Sequence, residues 1–411
     1  MNKTSIISLI CVPLLALVAG CGGGSGSNNG GGGGGGGGNN PLVLNFGAPK
    51  TFAAGQIPAN WQTITSGDFD GNGFADIAVA NGSDNNVGVF INKGDGTFAA
   101  QVPNTTDGNP ISVLAGQLNG DSNLDLISAN AGGNDSSVLL NTGSNGVFGP
   151  KTDIPLTNTP TCVALGDFDG DNDIDAAFPN VLGNIVVAKN DGNGAFSTTA
   201  FPSNNLLGTN TKAAIAGDMN DDGKVDLVIA DTGNDRVVVW FNSGNTAAPF
   251  DKNDAAHILQ LPLPPGSGAQ GITIGDLNKD GKLDIVAPND NLDNITIFLN
   301  QGGGNFAAQP VITAGNDTFG AAIADFNLDG NPDIAISNFI GVGNTDNNSN
   351  VGILLGKGDG TFQDAKYFPT GVTMSTRGIT VADFNKDGKP DIATSNSMTS
   401  NISVLLNTSA P

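Results

Sequence analysis

Seven times along this chain, oxygen-bearing side chains recur at positions 1, 3, 5 and 9 of one short loop. That spacing is suited to cation chemistry. In a tight turn, alternate side chains converge on a point, and a hard ion such as Ca²⁺ takes six to eight oxygens at about 2.3–2.6 Å. The loops contribute Asp68, Asp70, Asn72 and Asp76; then Gln117, Asn119, Asp121 and Asp125; then Asp167, Asp169, Asp171 and Asp175. The next two are Asp218, Asn220, Asp222 and Asp226, and Asp276, Asn278, Asp280 and Asp284. The last two are Asp325, Asn327, Asp329 and Asp333, and Asp383, Asn385, Asp387 and Asp391. Position 6 is glycine in five of them (Gly73, Gly223, Gly281, Gly330, Gly388), which allows a sharp bend. Position 7 would lend only its carbonyl.

These residues predict up to seven calcium ions. Three or four carboxylates packed within a few ångströms repel one another unless neutralised. The loop at 167–175 has four and is expected to bind most tightly. The loop at 117–125 has two, with Ser122 in place of the bend glycine, and is expected to be the weakest. Magnesium fits less well because it demands a tighter octahedron. Zinc is excluded by the scarcity of His and Cys, with His257 the lone histidine. Position 12 lacks the bidentate Glu of an EF-hand, and the flanks look like strands rather than helices.

The loops start at residues 68, 117, 167, 218, 276, 325 and 383, a period of about 52 that indicates propeller blades or a solenoid. Between them lie short apolar runs bounded by Gly, Asn and Asp, which read as strands. In the first repeat these are 64–67, 76–81 and 87–92, followed by the Gly-rich turn at 93–98 that leads into a fourth. The turn recurs at 357–362 and, more loosely, at 192–196 and 302–306; its Phe reads as a wedge between blades. The fourth repeat departs, with residues 245–254 where the tight turn belongs. The last repeat ends on its third strand at 401–407, while an extra strand at 46–55 precedes the first loop. The expected fold is therefore all-β: a seven-bladed β-propeller of four-stranded antiparallel blades over residues 42–411, closed by the N-terminal strand completing the last blade.

Composition agrees. All 39 acidic residues are Asp, Gly numbers 61, and Glu, a good helix former, is absent. Of those 39, 21 sit at the loop positions. Seven divalent ions would take the formal net charge from −23 to −9. No basic stripe exists to neutralise phosphates, so nucleic acid is excluded as a partner.

Residues 1–20 read as a secretory leader, with Lys3 before an apolar stretch broken by Pro13 and too short to span a bilayer comfortably. The segment ending Leu17-Val18-Ala19-Gly20-Cys21 resembles the bacterial lipobox. That resemblance implies cleavage before Cys21 and lipidation of its sulfur. Residues 21–41, nearly all Gly, Ser and Asn, would form a flexible tether of roughly 25 Å root-mean-square reach. Gly22 after the cysteine favours the outer membrane of a bacterial envelope, with the folded body exposed on the periplasmic or outer side. Cys162 is then the one thiol of the body and reads as a small buried apolar residue.

The repeated string, clearest at 382–393, resembles the FG-GAP/VCBS repeats of integrin-alpha-like propellers over about 42–411. The resemblance implies calcium in the loop between the first and second strands of each blade. It does not imply one function, since relatives include adhesion ectodomains, lectins and scaffolds of some lyases. Strand parity puts the acidic loops on one face. The residues six before each loop (Gln62, Ile111, Thr161, Lys212, Gln270, Phe319, Arg377), with Trp61 beside them, are expected to ring the central mouth of the other. From that ring Trp61, Gln62, Lys212, Gln270, Phe319 and Arg377 are the candidate ligand contacts. No acid, base and nucleophile cluster in the sequence. The reading is a monomeric binding or adhesion module for a polysaccharide or protein. A polysaccharide lyase and a structural subunit of an envelope complex are the alternatives.

Overall fold

The computed structural model describes residues 42–59, 63–201, 207–250, 255–339, 350–372 and 376–410. Their strands form seven antiparallel blade sheets, one per acidic loop, and a separate two-stranded ribbon of Asn141–Ser144 with Val147–Phe148. Blade 1 runs Ile64–Gly67, Asp76–Asn81, Asn86–Phe90 and Val102–Thr105 in sequence order from first to fourth strand. Blades 2, 3, 4 and 6 repeat that order, starting at Pro110–Gly116, Ala164–Gly166, Thr211–Gly217 and Thr318–Ala324. Blade 5 starts at Thr273–Gly275, and its outer strand comes in two pieces, Asn305–Ala308 and Ile312–Thr313. Both pair with Asn294–Gly302, and Pro310 falls between them, where no N–H is available for the ladder. Blade 7 contains Thr376–Ala382, Asp391–Asn396 and Asn401–Leu405. Its fourth strand is Lys50–Ala53, paired from Lys50↔Val404 to Ala53↔Asn401.

The first strands lie side by side around an axis, blade against blade, and the first strand of blade 7 also lies against that of blade 1. Second strands are buried along their whole length, because each is covered on both faces by neighbouring sheets. Three 3-10 turns, Thr232–Asn234, Ala255–His257 and Asp290–Leu292, are the only helix among the described residues. An Asp-rich, Glu-free chain is built for turns rather than helices.

Between blades the core is apolar and aromatic. Position 2 of every acidic loop (Phe69, Leu118, Phe168, Met219, Leu277, Phe326, Phe384) points inward and is buried. The turn Phe98 packs edge-on against Phe384 of blade 7 and Phe52 of the N-terminal strand, at 5.6 and 5.4 Å. Phe362 is likewise buried, but Phe196 and Phe306 are only half-buried, so the wedge role holds unevenly. In blade 4, where the tight turn is missing, Phe250 fills the equivalent space against Phe168 and Trp240. Cys162 is fully buried, and that burial pushes its thiol up to about 12, as befits an inert apolar residue.

A second set of blade contacts is polar. Asn141, Asn190, Asn242, Asn300 and Asn407 each lie near the end of a third strand and donate their side-chain amide to the position-2 carbonyl of the preceding blade, at 2.8–3.0 Å. Asn92 makes the same bond to Phe384 of blade 7, 2.8 Å away, tying the first blade to the last. Blade 6 has Gly356 there, and a Cβ would collide with the Pro332 carbonyl. Asn92 also donates to Ala75 and accepts from Gly94, so Asn92→Ala would leave three backbone groups wanting partners. The expected cost is about 2–3 kcal/mol in chemical denaturation; a loss below about 0.5 kcal/mol, the size of an ordinary surface change, would refute the role.

Candidate metal centres

Each acidic loop joins the first and second strands of its blade, and backbone conformation explains how eight residues turn so tightly. The position-6 glycines all have φ between +82° and +85°, as their placement predicts. In the two loops without glycine there, Ser122 and Asn172 take φ of +74°. Position 4 is left-handed too, and this was not foreseen: Asp221, Lys279, Leu328 and Lys386 adopt φ of +54° to +63° despite their side chains. Such backbone is uncommon outside glycine and is held here by the surrounding hydrogen bonds.

Those bonds come from the acidic side chains themselves. Position 1 accepts the position-6 N–H in six loops, as in Gly73 N–H to Asp68 at 2.7 Å and Gly388 N–H to Asp383 at 2.8 Å. Position 5 accepts the N–H of position 7 in all seven. Position 9 has a role that the sequence reading gave only to ion binding. In Asp76, Asp125, Asp175, Asp226, Asp284, Asp333 and Asp391 one carboxyl oxygen accepts the N–H of position 2, at 2.8–3.0 Å. The other oxygen accepts an N–H near the end of the third strand, at 2.7–2.8 Å. Each of these aspartates therefore clamps its loop to its own sheet, with lone pairs to spare for an ion.

Burial dominates their protonation. It raises the carboxyls of Asp76, Asp175, Asp226, Asp333 and Asp391 to about 7 and those of Asp125 and Asp284 to about 6. The backbone donors oppose this and the neighbouring acidic groups add to it. A divalent ion beside them would reverse the shift.

The loops are not equivalent. Asp68, Asp70 and Asp76 bring one oxygen each within 4.8 Å of one another, and so do Asp167, Asp169 and Asp175. These are the two loops with Asp at position 3. In the first group Asp68 Oδ1, and in the second Asp169 Oδ1, is buried without a hydrogen-bond donor, the mark of an oxygen that fits a cation. Gln117 Oε1 is similarly orphaned in the loop expected to be weakest. Position 5 stands outside both groups: Asn72 and Asp171 are exposed, and their bonds go to the turn. In three other loops a position-7 lysine engages position 5: Lys224 to Asp222 at 2.6 Å, Lys282 to Asp280 at 3.2 Å and Lys389 to Asp387 at 3.4 Å. In the loop at 167–175 another ammonium, Lys189, lies 3.1 Å from Asp169, a competitor that counting carboxylates does not reveal.

A third carboxylate group, Asp107, Asp135 and Asp153, lies among the loops of the opposite face. Lys151 pairs with Asp153 and stands 3.9 Å from Asp107, so this group already holds its own counter-charge. On that face three of the ring residues are drawn together near Asp290. The Asp290–Leu292 turn packs against Thr318–Ala324, Gly271 beside Gln270 meets the Phe319 carbonyl, and Arg377 lies over the ring of Phe319. Lys212 is half-buried on the first strand of blade 4. Trp61, Gln62 and Cys21 lie outside the described residues.

Seven four-stranded sheets around an axis, each with an Asp-rich first loop, define a β-propeller of repeated acidic-loop blades. The FG-GAP-like repeat matches at residues 68–128, 117–178, 218–287, 276–336 and 339–394, and the chain belongs to that family. No curated protein matches it. Among solved structures, virginiamycin B lyase from Staphylococcus aureus is 13% identical with a TM-score of 0.59, over 88% of this chain and 99% of that one. A lectin of Agrocybe aegerita that recognises non-reducing terminal N-acetylglucosamine is 20% identical with a TM-score of 0.53, over 84% and 93%. BBS1N, solved in complex with ARL6DN, is 9% identical with a TM-score of 0.59, over 89% and 97%. At such identities the likeness is one of fold.

Proposed function

We propose that this protein is a calcium-stabilised propeller, held at a bacterial cell envelope through lipidated Cys21, that binds a polysaccharide or protein ligand. The observation that carries the reading is the division of labour between its two faces. The acidic loops are consumed by their own turns and clamps, with orphaned oxygens left for ions. That makes the ions structural staples, binding the folded form and stabilising it by mass action. The other face carries half-buried groups of mixed chemistry around Gln270, Asp290 and Arg377, the composition of a recognition surface. FG-GAP membership and a lectin among the structural neighbours support a binding module. The tether at 21–41 would present that module away from the membrane.

A glycan array probed with the soluble body, in calcium and in excess chelator, tests the binding reading. Calcium-dependent retention on a subset of glycans is the expected result. An array without retention, together with no protein captured from envelope extracts, would overturn it.

A further inference from the structure

We infer that the mouth of the axis at blades 5 to 7, opposite the acidic loops, is a subsite for a neutral sugar, taking its adjacent hydroxyls between Arg377, Asp290 and Gln270. This deepens the ligand-binding reading above and rests on it. The Arg377 guanidinium lies between two aromatic rings, 4.3 Å from the centroid of Phe319 and 4.1 Å from that of Phe339. Such stacking fixes the plane of the group and leaves its N–H edge to be satisfied by acceptors around it. Its Nε is buried and has no hydrogen-bond partner. Close approach of the first strands of blades 6 and 7 makes the stack feasible. A Cβ on Gly320 would stand 2.9 Å from the Arg377 carbonyl, so only glycine lets the two backbones meet beside Phe319.

Acceptors stand close by, since the Asp290–Leu292 turn packs against Thr318–Ala324, the strand that carries Phe319. Asp290 and Asp317 both act electrostatically on Arg377. Burial, with the nearby Asp317, raises the Asp290 carboxyl to about 6, while Arg377 and the Gln270 amide pull the other way. The group is thus a fixed donor, an amide and two carboxyls, all half-buried and reachable from solvent. A pair of neighbouring sugar hydroxyls both donates and accepts, which matches this alternation; a simple anion or cation uses only half of it. Charge narrows the class further. Two carboxyls against one guanidinium, on a chain of formal net charge −23, disfavour polyuronates and sulfated glycans.

Affinity electrophoresis of the body, with saturating calcium, in gels containing dextran, laminarin, mannan, polygalacturonate or alginate tests this. Retardation by at least one neutral glycan and by neither polyuronate is expected. Asp290→Asn and Arg377→Gln should each weaken that retardation about tenfold, the worth of a hydrogen bond to a charged group. Gln270→Ala serves as a third variant if Arg377→Gln lowers the melting temperature. Retardation unchanged in all folded variants would overturn the subsite while leaving the binding module standing. A preference for polyuronate, or no neutral glycan bound, would also overturn it, whereas capture of a protein ligand instead would spare the broader reading.

Discussion

Removal of residues 42–55 should abolish the cooperative fold of the remaining chain. This segment supplies Lys50–Ala53 as the outer strand of blade 7, and its flanks continue the attachment: Gly47 N–H to Leu406, Ala54 N–H to Ser400 and Leu42 N–H to Asn327, each at 2.8–2.9 Å. Leu44 and Phe46 are buried, Phe46 lying against Phe368 and Phe326 with centroids 4.9 and 6.1 Å apart. Burying a large apolar side chain is worth about 1.5–3 kcal/mol. With Phe52 half-buried as well, the loss reaches about 5 kcal/mol or more, comparable to the whole stability of an ordinary domain. The truncated chain would also bare Asn401–Leu405 as an open edge, ready to pair with another copy. Size-exclusion chromatography and thermal melting should show aggregate or a broad transition, and adding the 42–55 peptide should restore the monomer. A truncated monomer with an unaltered melt would contradict the closing role given to this strand.

Excess chelator at pH 7.5 should lower the melting temperature by roughly 5–10 °C, the effect of losing about two ions, each worth about 2.7 kcal/mol at a hundredfold excess over its dissociation constant. The position-9 carboxyls give this difference a pH dependence. In chelator they are raised in the folded state, to about 6 or 7 against 3.8 for an ordinary aspartate. The folded chain therefore holds protons that the unfolded chain has released. Chelated protein should be stabler near pH 5 and lose that advantage as the pH rises through about 7. Calcium should work in the opposite sense, because protons compete with it for the same oxygens. The gap between the two melting curves should widen from pH 5 to pH 8. Asp70→Asn combined with Asp169→Asn should close most of it, since both change position 3 in the loops that gather three carboxylates. A gap that is constant with pH would argue against ion binding at these carboxyls.

Much of the fold was legible because its determinants are local. A strand, an acidic turn and a bend glycine recur at a fixed spacing, and Gly73 or Gly388 needs only its own backbone to announce the turn. The site was legible in part. Position 9 stood out as a ligand, but its clamp on a residue near the end of the third strand joins atoms 15 to 23 residues apart, and only the folded sheet brings them together. The interblade asparagines lie 16 residues past position 9 in Asn92, Asn141, Asn242, Asn300 and Asn407. That regularity is visible in the sequence, yet Asn at a strand end reads first as a turn residue. Lys189 on Asp169 and the stack of Arg377 between Phe319 and Phe339 have no local signal, since the partners come from separate strands or blades.

The most direct test of the account is a crystal structure of residues 42–411 grown with calcium and measured for its anomalous signal. Ions are expected in the loops at 68–76 and 167–175, each held by six to eight oxygens at about 2.3–2.6 Å that include the carboxylates of positions 1, 3 and 9. Lysine or water at those points, with no anomalous peak at saturating calcium, would contradict it.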